Sequence, residues 1–141
     1  YAPPDREMEH IMPNNFSDEW KKYVIANVIN VKTEKEAKEH HEKFVNTIGN
    51  LTFINQPLNG SISDDLYDKK LPEYNNELHP ITKTLSQQYP KDWRDKEIID
   101  RSKKIMERVL EILDINNLDT SSLPTFSYDT ATPAAWYTCL D

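Results

Sequence analysis

In the stretch EMEHIMPNN, Glu7 to Asn15, the carboxylate of Glu9 stands next to the imidazole of His10, three residues before Pro13. Neighbours in a strand point to opposite faces, and neighbours in a helix lie about 100° apart, so this acid and base can cooperate only on something placed between them. A metal ion or a phosphate group would serve. A carboxylate oxygen binds hard cations, and an imidazole, titrating near about 6.5 when unperturbed, accepts a proton at neutral pH.

The remaining candidates carry weaker signals. His40 and His41 lie in a Lys- and Glu-rich stretch, where exposed histidines without a role are the expectation. His79, just before Pro80, reads as a turn residue, or as a second metal candidate if its loop folds back. Trp20 and Trp93 read as core or helix anchors. Cys139 is the single cysteine; it has no disulfide partner and no neighbouring base to make it a nucleophile.

The elements that must position Glu9 and His10 follow from local patterns. Residues 6 to 12 alternate, with Met8, His10 and Met12 on one side and Glu7, Glu9 and Ile11 on the other, which predicts a short strand stopped by Pro13. Ser17 then caps a helix carrying Asp18 and Glu19 in its first turn and Trp20, Val24 and Val28 at four-residue spacing. A second helix starts at Thr33 with Glu36 three residues on, and closes at Gly49; its polar length suggests an exposed insertion. Leu51 to Ile54 has the composition of a strand ended by Pro57, and a short helix follows, with Ser61 or Ser63 as cap and Ile62, Leu66 and Lys69 or Lys70 at helical spacing. Pro72 to Pro90 shows one or two helical turns and no clear place. Residues 92 to 113 form the strongest helical pattern, with Ile98, Ile105, Val109 and Ile112 on one stripe and Ile99, Met106, Leu110 and Leu113 beside it, and predict the main packing helix. Residues 114–141 have turn formers, prolines and aromatics without a period, and read as a tail that packs as a strap or stays partly disordered.

Composition bounds the rest. A chain of 141 residues is one domain, here 1–113 with the tail 114–141 appended, and its 29% charged residues and lack of a long apolar run exclude a membrane span. One cysteine and no signal peptide fit a cytoplasmic setting. The chain opens YAPPDREMEH without a methionine, which points to a piece of a longer protein. A net charge of −7 argues against a simple nucleic-acid-binding module, although Lys91 to Arg108 holds seven basic against five acidic residues.

Taken in order, EHIMP, IGNLTFINQPLN, YDKK and the helix with Trp93 and Arg101 resemble the HNH, or ββα-metal, nuclease domain at the C-terminus of GmrSD-type restriction endonucleases and related anti-phage defence proteins. The resemblance covers about residues 5 to 113, and the order of the motifs carries it. It implies an α+β, mainly helical fold with a ββα-metal core and inserted and C-terminal helices. It further implies a metal-dependent DNA endonuclease using one Mg²⁺ or Mn²⁺ ion, acting on phage or other foreign DNA under an upstream NTPase-like domain of the same protein.

Phosphodiester hydrolysis needs a deprotonated water, a cation at the phosphate and a rigid frame. On the resemblance His10 is the general base, Glu9 and Asn59 are the metal ligands, and Asn50 orients His10. Lys69 and Lys70 match the family's basic pair and would hold the nucleic-acid backbone, and Arg101 matches an arginine whose expected role is a structural salt bridge. Two departures stand out: Asn59 occupies a position that is histidine in the name-giving motif, and 39 residues separate His10 from Asn50. The competing readings are an RNA-cleaving nuclease with the same site, and a catalytically inactive module of the same fold that binds a partner protein through its aromatic tail.

Overall fold

A computed structural model of the chain describes residues 7–55 and 60–113. Two strands, β1 (Glu7–His10) and β2 (Leu51–Ile54), pair antiparallel, with Glu7 opposite Ile54 and His10 opposite Leu51. Around them, among the described residues, lie seven helices: α1 (Asp18–Asn27), α2 (Glu34–Phe44), α3 (Gly60–Ser63), α4 (Tyr67–Asn75), α5 (Pro80–Lys83), α6 (Leu85–Gln88) and α7 (Asp95–Leu113). A 3-10 turn, Ile48–Asn50, leads into β2. The fold is therefore α+β and mainly helical, with a small sheet. Among the described residues no helix is long and apolar enough to cross a membrane. The tail expected over 114–141 lies outside the described residues.

Local chemistry sets the helix starts. The Ser17 hydroxyl accepts from the Trp20 amide, and Thr33 with Glu36 forms a reciprocal capping box, each satisfying backbone N–H groups that a first turn leaves unpaired. The long connection between the strands is not an exposed insertion. Trp20 from α1 and Phe44 from α2 enter the main core, and Val24, Val28, Val31 and Ala37 make a second apolar cluster between the two helices. Burying aliphatic side chains of this size is worth about 1.5–3 kcal/mol each.

Gly49 has a different role from the helix stop expected of it. Helix α2 already ends at Phe44. Gly49 instead lets the 3-10 turn press against α7, since a Cβ there would run into the Ile98 carbonyl and the Ser102 hydroxyl. The same contact is clasped by hydrogen bonds: Gly49 N–H donates to Ser102 Oγ at 2.9 Å, and the Arg101 guanidinium donates to the carbonyls of Gly49 and Leu51, both at 2.7 Å. Arg101 is structural, as expected, but it is buried against backbone carbonyls and the Thr52 hydroxyl rather than in a salt bridge.

Helix α7 packs through its first half only. Ile98, Arg101 and Ser102 are buried, whereas Val109, Leu110, Ile112 and Leu113 are exposed, so the apolar stripe read from the sequence outruns the core it meets among the described residues. The unplaced stretch 72–90 supplies the end of α4 and all of α5 and α6. There His79 caps α5, its Nδ1 accepting from the Ile81 amide at 3.3 Å.

Candidate active site at the end of the first strand

Strand β1 turns its acid inward and its methionine outward. Met8 is 58% exposed, while Glu9, opposite Thr52, is only 7% exposed. A lone carboxylate is costly to bury, and its counter-ion explains the inversion. Lys70 from α4, fully buried, donates from Nζ to Glu9 Oε1 at 2.9 Å and to the carbonyls of His10 and Ile11 at 3.1 Å each. All three ammonium protons are thereby used. Burial pushes the Glu9 carboxyl above its ordinary range and the Lys70 ammonium below its own, with the mutual attraction of the pair opposing both shifts.

His10, the last residue of β1, is half-buried. Its Nε2 lies 3.1 Å from Asn46 Oδ1. A carboxamide oxygen only accepts, so Nε2 is the donor in this contact, and Nδ1 is the nitrogen that it leaves over.

Asn50 is placed differently from expectation. Its side chain does not reach the His10 ring; it locks the backbone just beyond it. Oδ1 accepts from the Met12 amide at 2.7 Å and the Trp93 indole at 2.9 Å, while Nδ2 donates to the carbonyls of Met12 at 2.9 Å and Val45 at 2.8 Å. The Asn50 carbonyl also accepts from the Ile11 amide at 2.9 Å. Asn50 thus fixes where the strand ends, and Asn46 meets the imidazole.

Glu9 and His10 both line one cavity of about 270 Å³, together with Met8, Pro13, Asn14, Asn15, Ser63 and Asp64. Asn15 Nδ2 donates to Asp64 Oδ2 at 2.9 Å across it. The expected metal ligand Asn59 lies outside the described residues. The basic pair is split: Lys69 is exposed on α4, whereas Lys70 is committed beneath Glu9 and cannot reach a bound phosphate backbone in this arrangement. Sequence reading missed Asn46 and Asp64. The run Ser63-Asp64-Asp65 before α4 was a usable signal for the second; nothing in spacing marks the first.

Two histidines expected at the surface are not free there. His41 Nε2 donates to the Pro13 carbonyl at 2.7 Å and its ring stacks on Phe16, bracing the loop after the site. His40 is buried, with no hydrogen-bond partner for either ring nitrogen among the described residues, and burial holds its imidazole below the usual range. Trp20 and Trp93 are fully buried anchors, as expected.

No curated protein and no solved structure matches the chain. Its sequence does match the family described as GmrSD restriction endonucleases, C-terminal domain, over residues 2–108. That span is well over half of the 141 residues, and the motifs around Glu9, His10 and Asn50 fall inside it. The chain belongs to the family of C-terminal domains of GmrSD restriction endonucleases.

Proposed function

We propose that this domain is the DNA-cleaving part of a restriction endonuclease and hydrolyses phosphodiester bonds at an HNH-type, ββα-metal site containing β1, β2 and the helix after them. One observation carries the reading: Glu9, braced by a buried counter-ion, and His10, whose Nε2 contacts Asn46, line the same cavity.

The donors around that cavity suit a hard cation. Apart from the His10 ring they include oxygens, from the carboxylates of Glu9 and Asp64 and the amide of Asn15. Among the described residues no three His, Cys, Asp or Glu side chains assemble into a group able to hold a metal ion. Few protein ligands match an ion such as Mg²⁺ or Mn²⁺ that keeps several waters and takes others from phosphate. Glu9 would hold it, with Asn59 as the second protein ligand that the family resemblance implies. When bound, such an ion supplies positive charge to the phosphate and the leaving oxygen.

The chain's own residues do the rest. His10, with its Nε2 proton engaged by Asn46, takes the proton of the attacking water on Nδ1. Asn50 and Lys70 hold the backbone on which His10 sits. Lys69, exposed at the surface of α4, contacts the substrate backbone. A net charge of −7 implies weak affinity for DNA in isolation. That fits an effector domain of anti-phage defence, brought to foreign DNA by an NTPase-like domain of the same protein.

The test is cleavage of supercoiled plasmid by the wild type and His10→Ala in Mg²⁺, Mn²⁺ and EDTA, with a structured RNA as a parallel substrate. Metal-dependent nicking lost in the variant is expected. Equal nicking by the folded variant removes His10 from the reaction, and cleavage of RNA alone replaces the DNA reading.

A further inference from the structure

Lys70 has the burial of a core residue and the contacts of a clamp. It comes from α4, sixty-one residues after Glu9, and its ammonium hydrogen-bonds, among the described residues, only the acid and the carbonyls of the next two residues, His10 and Ile11. Glu9 lines the cavity and Lys70 does not. It is also the only hydrogen-bond donor to that carboxylate among the described residues.

An unbraced glutamate has three side-chain torsions and could fold over the cavity or swing out of it. Holding Oε1 removes that freedom, and the other oxygen has no hydrogen-bond donor among the described residues. Grip on the His10 and Ile11 carbonyls simultaneously sets the backbone from which the imidazole projects.

We propose that Lys70 is a positioning residue: by holding Oε1 of Glu9 and the carbonyls of His10 and Ile11, it fixes acid and base against the cavity and leaves one carboxylate oxygen for a divalent cation. This rests on the metal-dependent reading above. It assigns Lys70 to the site's frame rather than to the nucleic acid, and it requires the Lys70 contact to persist when the ion binds.

The experiment uses the 141-residue chain and Mn²⁺ alone, measured by calorimetry at a temperature where circular dichroism shows wild type and Lys70→Met both folded. Affinity in the variant is expected to fall by about 10–100-fold, the usual loss when a group orienting a ligand is removed. Lower thermal stability with unchanged affinity per folded molecule overturns the inference while leaving the nuclease reading intact. Because the variant buries an unpaired carboxylate and could fail to fold, a wild-type measurement runs beside it. The ¹⁵N resonance of the Lys70 ammonium is expected to exchange slowly with water both without and with saturating Mg²⁺. Its loss on adding Mg²⁺ shows the lysine displaced and overturns the proposal. Absence of any Mn²⁺ binding by the wild type overturns the metal reading and this inference together.

Discussion

The indole N–H of Trp93 donates to the side-chain oxygen of Asn50 across 2.9 Å, with both residues fully buried. That oxygen also accepts from the Met12 amide, so a single atom joins the approach to α7, the turn before β2 and the chain just past His10.

Asn50→Ala therefore leaves two buried N–H donors without an acceptor and two carbonyls without a donor. Each buried donor left unpaired costs about 1–3 kcal/mol, so a loss of about 3 kcal/mol or more is expected. Trp93→Phe strands no donor and should cost less. Urea unfolding of both variants checks the order; equal losses show that Asn50 is not the hub.

Asn46→Ala separates stability from chemistry. Asn46 is exposed, so stability should change by less than about 0.5 kcal/mol. Losing the acceptor that sets the His10 tautomer is expected to slow plasmid nicking by about 10–100-fold. A wild-type rate in this variant shows that the imidazole is oriented by something else.

Gly49→Ala is expected to destabilise by about 2–3 kcal/mol, because the added methyl meets backbone and a hydroxyl of α7 rather than the flexible end of a long side chain. Thermal melting reads this directly. A neutral result means that α7 can shift as a body.

The capping box of α2 predicts a specific acid sensitivity. Glu36 accepts from the amides of Lys32 at 2.6 Å and Thr33 at 3.1 Å, and these hold its carboxyl below the ordinary range. A lowered folded pKa gives stability that is present above the unfolded-state pKa and lost as pH falls through the folded one. Glu36→Gln retains an acceptor but not the charge. The wild type should exceed it in urea midpoint at neutral pH, and the gap should close in acid. A gap that stays constant with pH rejects the charge's part in the cap.

What was legible in the sequence was local. Ser17, Thr33 and Glu36 announce their caps because donor and acceptor lie within four residues, and Leu51 to Ile54 announces a strand by composition. Glu9 and His10 could be named as the pair of interest for the same reason. What surrounds them could not. Lys70 looks like a helix-end lysine until it is known that α4 packs beneath β1, and Asn46 is an unremarkable polar residue until the chain brings it within 3.1 Å of His10. The readings of Gly49, His40 and α2 failed together, because each depends on a helix packing that local pattern does not encode. In α7 the periodicity was real, but period alone does not say how far a partner surface extends.

The clamp on β1 also bears on the order in which synthesis delivers the parts. Glu9 and His10 leave the ribosome ahead of Asn46, Asn50, Lys70 and Trp93, and chains are made at about 5–20 residues per second. For several seconds the nascent segment holds an acid and an imidazole that nothing yet aligns. On the nuclease reading proposed above, a site assembled from partners so distant along the chain comes together only when the domain through the start of α7 has been made.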